Sequence, residues 1–300
     1  MGSIRHLEDA TRTLDRRGPR RVSPYLIPAM VGNLAAGQIA IRLGCHGPNM
    51  STTSACTSGA QAIGEALWMI RSGRCEVAFA GGTESAIDAV AFAGFASMRA
   101  LSKERDPARA SRPYDRARNG FVVAEGAGVL ALEEYEHARR RGANVLAELR
   151  GYATRTDAHH IASPDPDGGG LARTLRATLR DAGVPADAVD YVNGHATSTP
   201  LGDAVEARVL AEAFDGVAVS STKGATGHAL GGAGALEAAF CVLALRDGAV
   251  PATLHLETPD PACAGLDLVR GAARRRAVDA VLSISSGFGG SNAGLLFGRV

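Results

Sequence analysis

Lysine is almost missing from this chain of 300 residues: of its 32 basic residues, only Lys103 and Lys223 are lysine. With the abundance of Ala and Gly, this looks like the coding bias of a GC-rich genome, and it singles out the lysines that remain. An ammonium is more compact than a guanidinium and is a single point of charge. Charge of one sign is lacking too. The formal net charge is +1, and no Lys/Arg run is interleaved with aromatics as base stacking needs, so no nucleic-acid partner is expected. Long apolar runs are also missing. Gly and charged residues break the longest, and residues 1–12 hold no apolar region like that of a signal peptide, so a cytoplasmic chain without a membrane partner is expected. Cysteine is sparse and odd in number. Cys45, Cys56, Cys75, Cys241 and Cys263 contain no CxxC, which argues against a disulfide framework and a zinc cluster, and no metal site is expected.

What is present is enough apolar sequence, 46% against 21% charged, to bury a large core. Short apolar or β-branched runs alternate with helical patterns, the sequence form of an α/β fold with buried sheets. Strands are predicted over Met50–Ser54, Val77–Ala80, Val129–Glu133, Val145–Tyr152, Val189–Val192, Val217–Ser221, Leu266–Val269 and Val281–Ser285. A helix over Gly170–Asp181 sets Leu171, Leu175 and Leu179 on one stripe and stops at Gly183 and Pro185. Another, over Asp203–Phe214, opens with Asp203 and Glu206 in capping-box spacing. The segments GAQAIGEALWMIRSG (Gly59–Gly73) and GALEAAFCVLALRDG (Gly234–Gly248) echo one another, which suggests an internal duplication with the site between the halves. Irregular surface segments are expected over Ser102–Gly120 and Ser163–Gly170.

Three segments carry candidate chemistry. In NMSTTSACTSGAQAIGEAL, Cys56 falls between a strand and a helix. Orphan N–H groups at the helix start favour a thiolate by roughly 0.3–1 kcal/mol, too little to be the whole activation. A small buried hydrophobe is the other reading of a free cysteine, and the one preferred for Cys45, Cys75, Cys241 and Cys263. DYVNGHATSTPLGD places His195 just after a strand, where α/β folds present catalytic groups. VSSTKGATGHALGGAGALE places Lys223 and His228 before a glycine-rich helix start. Either histidine alone would more often be an ordinary residue with satisfied hydrogen bonds.

SACTSG at Cys56, HATST from His195 to Thr199, STKGATGH ending at His228 and GFGGSN from Gly287 to Asn292, in this order, resemble the β-ketoacyl-acyl-carrier-protein synthases, closest to the elongating KAS II-like branch. The resemblance runs from about Gly18 to the C-terminus and covers plain sequence such as RPYDRARNGFVVAEGAGVLALEEYEHARRRGA. It implies a thiolase-like α/β fold of duplicated α-β-α layers. Residues 1–150 would be the remainder of one half, with the nucleophile, and 151–300 the other, with both histidines. It also implies a ping-pong reaction in fatty-acid or polyketide biosynthesis. Cys56 takes an acyl group from the phosphopantetheine arm of an acyl carrier protein, and malonyl carrier loses carbon dioxide to give the enolate that attacks it. His195 and His228 would be neutral N–H donors to the enolate oxygen, and Lys223, partnered by Glu237, an electrostatic anchor. The amides of Cys56 and Phe288 would form an oxyanion hole, with Phe288 gating the pocket. Thr197 and Thr199 would hold pantetheine, and Phe95 and Ser286 would face the acyl group. Arg20, Arg21 and Arg99 match carrier-facing positions, and Arg16 and Arg17 could join them or be a solvated cluster. No bound cofactor is implied. The partners implied are the acyl carrier protein and a second ketosynthase-like chain, in a homodimer or heterodimer.

Three departures stand out. The family's opening elements before the region resembling Gly18 are missing, which implies an N-terminally truncated form, or a start at an internal methionine, with sheet edge and core exposed. Ala196 stands where HGTST has Gly, adding a methyl where backbone needs room. Ser286 stands where the branch often has Phe. A starter-condensing synthase or degradative thiolase would use Asn or Cys in place of the second histidine. The alternatives of another kind are an inactive truncated remnant and a non-catalytic partner subunit, although such partners commonly lack the cysteine.

Overall fold

The computed structural model describes residues 2–300. The chain runs through α1 (Ile4–Arg17), α2 (Leu26–Met30), α3 (Leu34–Leu43), α4 (Ser58–Arg71), β1 (Val77–Glu84), α5 (Ala89–Ser97), α6 (Pro107–Ala110), β2 (Gly126–Glu133) and α7 (Tyr135–Arg140). It continues through β3 (Glu148–Thr156), α8 (Gly169–Ala182), β4 (Tyr191–Asn193), α9 (Pro200–Ala213), β5 (Ala218–Ser220), α10 (Lys223–Thr226) and α11 (Ala233–Asp247). The last strands are β6 (Ala249–Val250), β7 (Asp267–Leu268), β8 (Arg274–Arg275), β9 (Ala280–Gly287) and β10 (Ser291–Gly298).

The main sheet has six strands in the order β3-β10-β9-β4-β5-β7; β1 pairs antiparallel with β2 in a separate sheet, and β6 with β8. Helices α4 and α11 lie between the first two sheets: α4 packs on β1 and β3, and α11 on β2 and β9. Helix α8 covers the other face of the six-stranded sheet, beside α9. Strand pleating divides the core accordingly. Ala293, Leu295 and Phe297 of β10 join α4 and α11, while Leu296, with Leu282 and Ile284 of β9, joins α8 and α9.

The echoed segments are α4 and α11, and they cross closely. A Cβ on Gly59 would come within 2.9 Å of the Ala235 nitrogen, and one on Gly234 within 2.9 Å of the Ala60 nitrogen. Each helix thus offers a glycine to the backbone of the other. Helix α8 forms as its leucine stripe predicts and ends on Gly183 in the left-handed region, φ 65°.

Other expectations need correction. Residues 50–54 are not a strand; at Ser54 side chains satisfy the backbone locally, its N–H donating to Ser58 Oγ at 2.9 Å and its carbonyl accepting from Thr57 Oγ1 at 2.7 Å. Strand β10, rich in Gly and small residues, was not expected. Helix α9 begins at Pro200 with Thr199 as N-cap, so Asp203 and Glu206 form no capping box and are buried instead. The segment after α6 is not a surface loop: Ser111, Arg112, Tyr114, Asp115 and Arg118 are all buried. Cys45 is exposed and Cys75 half-buried; only Cys241 and Cys263 are buried as expected. Val77 and Phe79 of β1 and Val129 of β2 are exposed.

Replacing Gly59 by Ala must force α4 and α11 apart. We expect Gly59→Ala to lose about 1–3 kcal/mol in urea unfolding; an unchanged midpoint would contradict the close crossing.

Candidate active site

Cys56 sits in a 3-10 turn, Ala55–Thr57, that leads directly into α4, and Ala55 before it has φ 53°. His228 precedes α11 in the corresponding place, so the crossing of the two helices brings the turns together. His228 Nε2 lies 3.1 Å from Cys56 Sγ. His195 follows β4, and its ring stands edge-on to that of His228 with centroids 5.3 Å apart. Lys223 Nζ lies 3.4 Å from His195 Nδ1 and forms an ion pair with Glu237, with lysine and glutamate both buried. An ammonium has no acceptor, so Nδ1 of His195 receives the bond and Nε2 carries the proton.

Burial sets the electrostatics. It pushes the Cys56 thiol up to about 11, against the opposing charge of Lys223, so the proton rests on sulfur. The helix-start effect expected from sequence is outweighed. Burial, and then the Lys223 charge, hold His195 and His228 well below the usual imidazole range, and both are neutral at pH 7. Phe121 seals the flank: its ring is edge-on to His228 at 5.5 Å and to Phe95 at 5.3 Å. Phe95 and Cys56 pack on the same apolar cluster.

A Cβ on Gly287 would approach the Cys56 amide nitrogen to 3.0 Å, so the strand end leading to Phe288 runs directly beside the cysteine turn. Phe288 is 37% exposed. Ser286 Oγ donates to Asn292 Oδ1 at 2.7 Å, and Asn292 Nδ2 donates to Asp157 Oδ1 at 2.7 Å and to the Gly290 carbonyl, which makes Asn292 the brace of the GFGG turn. Thr197 and Thr199 are half-buried, their hydroxyls 3.3 Å apart. Arg20 and Arg21 occupy an exposed 3-10 turn after α1, whose last turn holds Arg16 and Arg17; Arg99 is exposed after α5.

Sequence reasoning missed several neighbours. Glu84 Oε2, buried, accepts the Gly231 N–H at 3.3 Å beside the His228 turn. Phe121, Tyr114 and Asp157 were passed over as parts of ordinary segments, and only three-dimensional proximity identifies them. Ala196 is accommodated with 2% exposure; the shortage of room lies at Gly194. Among the described residues, no group of three or more His, Cys, Asp or Glu is arranged to hold a metal ion.

A thiol at a helix start, two neutral imidazoles and an adjoining glycine-rich strand end, on a layered α/β scaffold, describe a site suited to acyl transfer through cysteine. Residues 1–138 match the β-ketoacyl synthase N-terminal domain and 146–257 its C-terminal domain. The chain is 47% identical to 3-oxoacyl-[acyl-carrier-protein] synthase 2 of Synechocystis, over 99% of this chain and 72% of that one. It is 46% identical to the mitochondrial 3-oxoacyl-[acyl-carrier-protein] synthase of Arabidopsis thaliana, over all of this chain and 67% of that one. A β-ketoacyl synthase from Burkholderia phymatum superposes with a TM-score of 0.94 at 38% identity, covering all of this chain and 73% of that one. A type II polyketide ketosynthase solved in complex with its acyl-carrier protein gives 0.93 at 31%, covering 98% and 75%. The fold is thiolase-like, and the chain belongs to the β-ketoacyl synthase family of acyltransferases. The match extends to the start of the chain, further than the sequence motifs alone reached.

Because the unfolded imidazoles bind protons below about pH 6.5 and the buried ones do not, His195 and His228 contribute stability that is fully present above that pH and lost as pH falls. We expect the stability difference between wild type and a His195→Ala/His228→Ala variant to decrease below pH 6.5, by up to about 1.4 kcal/mol per pH unit per histidine. A difference independent of pH between 5 and 8 would contradict neutral burial.

Proposed function

We propose that this chain catalyses the decarboxylative Claisen condensation of an acyl group on Cys56 with malonyl-acyl carrier protein, giving β-ketoacyl-acyl carrier protein in fatty-acid or polyketide biosynthesis. The observation that carries the reading is Cys56 Sγ at 3.1 Å from His228 Nε2, with a second neutral imidazole, His195, beside it. In the first half-reaction, Cys56 sulfur attacks the carrier thioester; its proton ends on the departing pantetheine thiol, and the acyl group stays on sulfur. The amides of Cys56 and Phe288 stabilise the tetrahedral oxyanion. Malonyl carrier then loses carbon dioxide, and the charge left on its thioester oxygen is met by N–H donors of His195 and His228, each worth about 2.7–4 kcal/mol. The enolate carbon attacks the acyl carbonyl, Cys56 sulfur leaves, and a proton from solvent restores the thiol.

Thr197 and Thr199 hold the pantetheine arm, Phe95 and Ser286 border the acyl group, and Phe288 gates the pocket. Lys223, countered by Glu237, fixes the His195 tautomer. The carrier docks on Arg20, Arg21 and Arg99, and the working form is a dimer with an identical or related chain. A carrier complex and a ketosynthase/chain length factor among the structural relatives support these two partners. The substrates ride on carrier phosphopantetheine, with no resident cofactor. Halves meeting near residue 150 are supported by the two family domains, which match residues 1–138 and 146–257. The setting is cytoplasmic. No helix among the described residues is long and apolar enough to cross a membrane.

Intact-protein mass after mixing with an acyl-carrier donor tests the reading. We expect one acyl-sized gain, lost in Cys56→Ala, and malonyl decarboxylation slowed about 10²–10³-fold in His195→Ala or His228→Ala. No gain on folded protein would favour a remnant or a subunit that needs a partner.

A further inference from the structure

The turn bearing His195 rests on a buried polar layer. Glu206 Oε2 accepts the His195 N–H at 2.9 Å, and Oε1 accepts the Ala196 N–H at 3.0 Å. Asp203, one turn earlier on α9, accepts the N–H groups of Ser198 and Thr199 at 3.2 and 3.1 Å. A third donor reaches Glu206 Oε1, the hydroxyl of Tyr114 at 2.5 Å. Tyr114 is fully buried with φ 63°, a conformation that a bulky residue keeps only where its surroundings impose it. Here they do: its N–H donates to Asp203 Oδ2 at 2.9 Å, and its carbonyl accepts the Asp260 N–H at 2.9 Å. The hydroxyl fits because residue 194 is glycine. A Cβ there would lie 2.1 Å from the phenol oxygen and 2.7 Å from Glu206 Oε1. The glycine before His195 thus answers to a phenol packed beneath it.

We propose that Tyr114 is a positioning residue for His195: its hydroxyl, admitted by Gly194, holds Glu206 in the orientation that fixes the His195 and Ala196 amides, and through them the imidazole. The inference rests on the reading of His195 as a donor in malonyl decarboxylation. It also predicts a pH dependence. Burial raises Glu206 to about 7; the Tyr114 bond and the charge of Lys223 oppose this, while Asp203 reinforces it. Tyr114, raised well above the phenol range by burial and by Glu206, remains a donor throughout. A protonated Glu206 has an O–H where an amide or phenol needs an acceptor, so the turn loosens as pH falls through that value. Without the phenol, the loosening begins at higher pH.

The test uses the full chain with Tyr114→Phe, Gly194→Ala and the double variant, following malonyl decarboxylation and Cys56 acylation against pH. His195 imidazole resonances in NMR serve as a readout that needs no turnover. For Tyr114→Phe we expect the acidic limb of decarboxylation to move up by roughly one pH unit, with kcat about fivefold lower at pH 7 and part of that loss persisting above about pH 9, where Glu206 is ionised but unheld. Cys56 acylation should be unchanged, and the pH transition of the His195 resonances should shift with the limb. Gly194→Ala should cost activity at every pH, and less in the Tyr114→Phe background, where the clashing oxygen is gone. A Tyr114→Phe profile and His195 resonances like wild type, equal losses in both half-reactions, or a chain that no longer folds would each overturn the proposal. A wild type that neither acylates nor decarboxylates would instead sink the functional reading, and the His195 resonances would still decide this one.

Discussion

The close crossing of α4 and α11 is the constraint on which the rest of this structure depends. Cys56 and His228 belong to turns 172 residues apart, and each turn opens one of these helices. Glycine at 59 and at 234 lets each backbone touch the other, so the helix starts are set side by side. Two facing glycines give up conformational entropy in the unfolded chain to achieve this approach. The sheets on either side then hold the pair in place, and β4 delivers His195 to the same point.

Burial in this middle layer governs the chemistry. The same desolvation that pushes the thiol up pushes both imidazoles down, so the resting site holds its proton on sulfur and carries no charge on the rings. The further such a site is withdrawn from water, the more each N–H donor is worth. Lys223 is tolerated there because Glu237 accompanies it. Removing either partner would leave an uncompensated buried charge, which is far more costly than the pair itself.

Much of this was legible in the sequence. Strand patterns located most of the strands, helix patterns located α4, α8, α9 and α11, and the leucine stripe and Gly183 stop defined α8 closely. Motif order brought Cys56, His195, His228 and Lys223 into one hypothesis before any geometry was known. What the sequence hid was long-range accommodation. Asp203 and Glu206 have the spacing of a capping box, but their partners are the amides of the preceding turn. Tyr114 lies in a segment whose charges and Pro read as surface loop, yet it is buried by contacts with α9 and with Asp260. Gly194 and Ala196 differ in consequence because the Tyr114 phenol and Glu206 Oε1 crowd the first position. Strand β10 lacks β-branched residues and is a strand because β3 and β9 flank it.

The central claim is that two neutral imidazoles, held beside Cys56, donate together to one thioester oxygen. It is tested most directly by a crystal structure of the chain with an unreactive malonyl-thioester analogue. The account predicts the thioester oxygen within about 3 Å of Nε2 of both His195 and His228. An oxygen held only by the amides of Cys56 and Phe288, with the imidazoles turned away or charged against the carboxylate, would contradict it.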